Sequence, residues 1–140
     1  SRSNIDPMIE GVDIPTFDFE IDYGYRWLIA RRIASFESFS PLQPWMFLNS
    51  ERVFDVSERW PHGPSSDRLV AFAARQDCDD LACFVVTPDD VATKIAVVHG
   101  WMTPEGYSID HVFDDFWEWL KFVIDEMRDW AITEWPIDWP

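Results

Sequence analysis

The sequence predicts an α+β fold, and two stretches carry that expectation. Between Asp67 and His99 lie three apolar runs, Leu69–Ala74, Leu81–Thr87 and Ile95–His99, rich in Val, Ile, Phe, Ala and Cys. Each is long enough for a strand and too short for an ordinary helix. The breaks between them, Gln76-Asp77-Cys78-Asp79-Asp80 and Pro88-Asp89-Asp90, are short and have turn chemistry. Neighbouring strands joined that way pair antiparallel, so Asp67–His99 reads as a meander and as the central, mostly antiparallel sheet. The second stretch runs from His111 to about Ala131. There Phe113, Phe116, Trp117, Leu120, Ile124, Met127 and Ala131 recur at intervals of three and four, the spacing of one helix face. Asp114, Asp115, Glu118, Asp125, Glu126 and Asp129 fall on the opposite side. A long amphipathic C-terminal helix packed on the sheet is the expectation.

The middle run is apolar on both faces, with Leu81, Cys83 and Val85 on one and Ala82, Phe84 and Val86 on the other. Such a strand needs cover on both sides. The rest of the chain, taken in order, has to supply it. Residues 1–7 show no periodicity, so Met8 is read as the natural start, with 1–7 an expression scar or disordered arm and 8–140 a single domain. Met8–Thr16 is a loop broken by Gly11 and Pro15. From Asp18 a helix is expected, with Tyr23, Trp27, Ala30 and Ala34 at helical spacing and Arg26, Arg31 and Arg32 on its polar side. Phe36–Pro44 is a Ser/Pro linker, and Trp45–Leu48 a short strand or buried turn that extends the sheet. Asn49 or Ser50 is expected to cap a helix over Glu51–Trp60, which Pro61-His62-Gly63-Pro64 stops. Ser108 or Asp110 is expected to cap the last helix. Trp135 and Trp139, set between prolines in the tail, are expected to pack back onto the domain.

Composition narrows the function. The chain has 140 residues, 47% of them apolar, with nine Trp and eleven Phe, enough for a real core. A net charge of −15 opposes the phosphate contacts of nucleic-acid binding; it favours solubility, the commoner use of such acidity, and attraction to a basic partner. No apolar run reaches the ~20 residues of a membrane span. Cys78 and Cys83 are read as reduced thiols of a cytoplasmic protein. Phosphate-binding glycine loops, H-E-x-x-H and C-x-x-C are all absent from the sequence. His62, His99 and His111 share no ligand or triad spacing, and the acidic turn lacks the Gly and Glu of a calcium loop. No catalytic residue, metal or cofactor is therefore expected.

Several segments have a familiar order. Pro44-Trp45, Glu51-Arg52, Glu58-Arg59-Trp60-Pro61, LVAFAARQDCDDLACF from Leu69, VVHGW from Val97 and FDDFWEWLKFVIDEM from Phe113 together resemble the SUKH superfamily, over about Asp18 to Ala131. That superfamily includes the Smi/Knr regulators of cell-wall synthesis and many bacterial immunity proteins. Cys78 stands where its members commonly have Gly or Asn. The resemblance implies an α+β fold with flanking helices, and binding rather than catalysis. In bacteria it implies neutralisation of a cognate toxin, often a nuclease. A non-catalytic immunity protein occluding a basic toxin is the leading expectation. A regulatory adaptor on a housekeeping protein is the alternative, and an enzyme ranks last. The candidate partner surface is Asp77, Asp79 and Asp80 at the hairpin end, with Asp114, Asp115 and Glu118 on the opening turns of the last helix, and Trp101 next. Arg75 is the only cation local to the acidic turn, so most of the turn's charge is expected to be free.

Overall fold

In chain order the elements are β1 (Glu20–Ile21), α1 (Tyr23–Ala30), β2 (Trp45–Phe47), β3 (Phe54–Asp55), α2 (Val56–Arg59), β4 (Arg68–Arg75), β5 (Asp80–Val86), β6 (Val91–Gly100), β7 (Tyr107–Phe113) and α3 (Phe116–Glu134). The structure, a computed structural model, describes residues 14–101, 104 and 106–134. The arm before residue 14 and the tail tryptophans Trp135 and Trp139 lie outside the described residues.

The meander forms where the apolar runs place it. β4, β5 and β6 pair antiparallel at the centre of a seven-stranded mixed sheet of order β1-β6-β5-β4-β2. β3 shares the outer edge of β4 with β2, and β7 shares that of β6 with β1. β1 on β6 is the parallel pair. Both faces of β5 are covered. Ala82, Phe84 and Val86 join Phe72, Ile95 and Val97 under α1 and α3. Phe72 and Phe84 stack there at 4.1 Å, and Trp119 meets Phe72 edge-on at 5.1 Å. Leu81 and Cys83 join Leu69, Ala71 and Val98 under Val56, Trp60 and Tyr107. The fold is α+β.

Four elements differ from the expectation, each for a physical reason. The last helix begins at Phe116, not His111, and Asp115 caps it by accepting the Glu118 N–H at 2.8 Å. Tyr107–Phe113 is instead a strand, because pairing satisfies the backbone edge of β6 that a helix would leave open. The buried stripe of α3 is also rotated. Phe116, Trp119 and Val123 are buried, whereas Trp117 is half-buried, Ala131 exposed and Ile124 52% exposed. Residues 116–124 are apolar at most positions, so spacing alone fits two overlapping stripes and packing decides between them.

α1 begins at Tyr23, capped by Asp22, which accepts the Gly24 N–H at 2.8 Å. Tyr25, Leu28 and Ile29 face the core, and Tyr23, 71% exposed, and Trp27 face out. Gly24 fixes that rotation: a Cβ there would stand 2.7 Å from the Trp117 ring. In the stretch expected to form a helix over Glu51–Trp60, Asn49 accepts the Glu51 and Arg52 N–H groups in a turn. β3 then pairs with β4, and α2 is a single turn, with Glu58 accepting the Asp55 N–H at 3.0 Å. Val56 and Trp60 of this stretch are buried.

Candidate functional site

The 76–79 turn and the chain after β6 meet at one end of the sheet. The Gly100 N–H donates to the Asp79 carbonyl at 3.2 Å. Trp101 follows with φ 65°, a left-handed conformation that costs a non-glycine residue about 1–2 kcal/mol, and its N–H donates to the Gly106 carbonyl. Gly106 has φ 130°, and a Cβ there would stand 1.9 Å from Trp60, so no other residue fits. These backbone positions hold the Trp101 indole against Trp60 at 5.2 Å while leaving it 66% exposed. Backbone outliers of this kind cluster at binding and switch sites.

A cleft of about 200 Å³ opens between Trp101 and the hairpin, lined among others by Arg52, Arg59, Trp60, Arg75, Asp79 and Asp80. The Arg59 guanidinium lies 4.0 Å over the Phe54 ring and 5.4 Å from that of Trp60, which fixes it in place. Among the described residues no carboxylate pairs with Arg52 or Arg59.

The charge of the acidic turn is mostly engaged, contrary to the expectation that it is free. Arg75 grips Asp77 with two hydrogen bonds of 2.8 and 2.9 Å and reaches Glu126 at 2.5 Å. Asp80 is hydrogen-bonded to His99 Nδ1, which leaves Asp79 as the turn carboxylate without an ion-pair partner among the described residues. Partial burial, then the charges of Asp80 and Asp77, push the Cys78 thiol up, which disfavours a nucleophilic thiolate. The second expected cluster is not brought to this end. Asp114, Asp115 and Glu118 lie past the far end of β7, about 20 Å along the strand from Ser108. There Asp115 is occupied as a cap and Glu118 pairs with Lys121 at 3.0 Å.

One grouping escaped the sequence reading. Asp80 pairs across the sheet with His99, and Asp110 of β7 joins them, with one ligand atom from each within 4.8 Å of the others. The hydrogen bond to Asp80, followed by the charges of Asp80, Asp110 and Asp79, raises the His99 pKa. Two β-bulges create the grouping. One between Val85 and Val86 shifts the β5–β6 register by a residue. Counted back from the 87–91 turn without it, Asp80 would stand opposite Val98. The other leaves Asp110 as the extra residue between the pairs Val97↔His111 and Val98↔Ile109. His111, expected at a helix start, lies in β7 with its ring against Phe113 and Phe122.

The chain matches no protein-family model, no curated protein and no solved structure. Among the described residues no helix is long and apolar enough to cross a membrane.

Proposed function

We propose that this protein is a non-catalytic binding module of the immunity type, which occludes a basic toxin with the hairpin end of its sheet. The observation that carries this reading is Trp101, a large indole held out to solvent by a left-handed backbone and braced on Trp60. Trp and Arg are the commonest energetic anchors of protein interfaces. Here an exposed Trp borders a cleft holding Arg52 and Arg59, with Asp79 beside it. The SUKH-like sequence pattern supplies the class of function. The net charge of −15 supplies long-range attraction to a basic partner, and Arg59, held over the Phe54 ring, disfavours partners that put a cation at the cleft.

Affinity purification from the native host with mass spectrometry identifies the partner, and co-expression with the adjacent gene product tests the class. An immunity protein rescues growth from an otherwise lethal neighbour, whereas a partner that is a housekeeping protein points to a regulatory adaptor. Trp101→Ala should weaken the complex by about 2 kcal/mol or more. Asp79→Lys should slow association and flatten its salt dependence. Unchanged rate and affinity in Trp101→Ala and in a variant with Asn at positions 77, 79 and 80 would place the interface elsewhere. Turnover of a substrate that depends on His99 would replace the binding reading with an enzymatic one.

A further inference from the structure

We propose that Asp80, His99 and Asp110 form a binding site for a divalent first-row transition ion of the zinc type. The expectation of no metal rested on unclustered His and Cys and on an acidic turn without the calcium pattern; neither ground considers a single His brought to two carboxylates by the sheet register. Three neighbouring strands each contribute one ligand: Asp80 from β5, His99 from β6 and Asp110 from β7. Ligand atoms bound to one tetrahedral zinc at ~2.1 Å stand about 3.4 Å apart. The three atoms here lie within 4.8 Å of one another, so rotations of the side chains close the remaining gap. Asp80 and His99 are half-buried on paired strands, which fixes their backbones, and Asp110 is exposed, which leaves a route from solvent. The bulge at Asp110 turns this residue out of strand alternation, and Ser108 Oγ donates to Asp110 Oδ1 at 3.1 Å, orienting the carboxylate.

The donor set decides the class of ion. One imidazole nitrogen with two carboxylate oxygens suits zinc and its first-row neighbours, whereas magnesium and calcium favour oxygen alone. Three protein ligands leave a coordination position for water or an incoming group.

The test is calorimetric titration of the metal-stripped full chain with zinc near neutral pH, in a Cys78→Ser background that removes the exposed thiol. The expected result is one equivalent bound. Manganese should bind more weakly, and magnesium should fail to compete. His99→Ala and Asp110→Asn should each weaken zinc roughly tenfold or more, and His62→Ala should not. Circular dichroism and urea unfolding check that the variants fold, and Asp110→Asn on an exposed position keeps the test open if His99→Ala does not. The proposal is overturned if no equivalent binds at about 0.1 mM zinc, or if His99→Ala and Asp110→Asn both bind zinc as tightly as the parent. It stands independently of the toxin-binding reading, since it needs no partner.

Discussion

Replacing Trp119 with alanine tests how α3 is seated. Trp119 is fully buried, with ring centroids of Phe72, Phe116, Trp45 and Phe47 at 5.1, 5.5, 5.7 and 6.1 Å. Large-to-small changes of this kind cost ~3–5 kcal/mol. Four surrounding rings put this site near the upper end, since each favourable aromatic pair adds ~0.5–1.5 kcal/mol. Against a total stability of about 5–15 kcal/mol, that change brings the protein close to unfolding. Trp117 is the control. It is half-buried, meets Tyr23 and Phe116 at 6.0 and 5.8 Å, and should cost about 1–2 kcal/mol as alanine. A second variant sharpens the argument. The buried Trp119 indole N–H has no acceptor among the described residues. Trp119→Phe removes that unsatisfied donor, an advantage of about 1–3 kcal/mol that offsets much of the lost volume. Urea unfolding followed by far-UV circular dichroism measures all three. If Trp117→Ala costs more than Trp119→Ala, the helix sits in the rotation that spacing alone suggests. If Trp119→Phe costs as much as Trp119→Ala, the unsatisfied donor carries no weight.

Three other outcomes are expected. Glu126 accepts from Trp45 Nε1 at 2.8 Å and from Arg75, so Glu126→Ala should cost about 2–3 kcal/mol. A double-mutant cycle with Arg75→Ala that shows no coupling would reject this tie between α3 and the sheet. Self-repulsion from the net charge of −15 should make moderate salt raise the melting temperature, and a steady fall up to physiological ionic strength would contradict that. Burial pushes the Cys83 thiol up, so it stays protonated in the native state while the unfolded chain ionises near pH ~8.5. Its contribution is therefore complete below that pH and is lost above it, at up to ~1.4 kcal/mol per pH unit. Cys83→Ala should flatten the alkaline slope of stability measured by urea unfolding, and an unchanged slope would refute the assignment.

The meander was legible because each of its strands carries its own signal. β5 shows both covered faces in seven residues, and the acidic and Pro-Asp-Asp turns mark its ends. β2 was legible as a short apolar piece between a Ser/Pro linker and a polar turn. What the sequence obscured were the elements decided by a neighbour. Residues 107–113 form a strand because β6 has an edge to fill, not because their own pattern excludes a helix. Tyr23 and Trp27 face solvent because Gly24 must lie against Trp117, ninety-three residues further on. The helix expected from residue 51 shrinks to one turn because Phe54 and Asp55 gain more by pairing with Ala71 and Val70.

The site was hidden by the same kind of dependence. Arg75 was recognised as the local cation of the acidic turn, but its second partner, Glu126, comes from α3 and no local spacing predicts it. With Arg75 bound to Asp77 and His99 bound to Asp80, the turn is a constrained surface on which Asp79 is the carboxylate without an ion-pair partner among the described residues, beside the exposed Trp101. His99 and Asp80 are nineteen residues apart, and a naive count across the turn places them one position out of register. Asp110 reaches them because a bulge breaks the alternation of β7. A one-residue shift in a strand moves every side chain to the other face, so two bulges suffice to gather a nitrogen and two carboxylates from three strands. In this chain the chemistry-bearing residues were all visible in the sequence. Their assembly was not, because it is written in two irregularities of pairing rather than in any pattern of residue types.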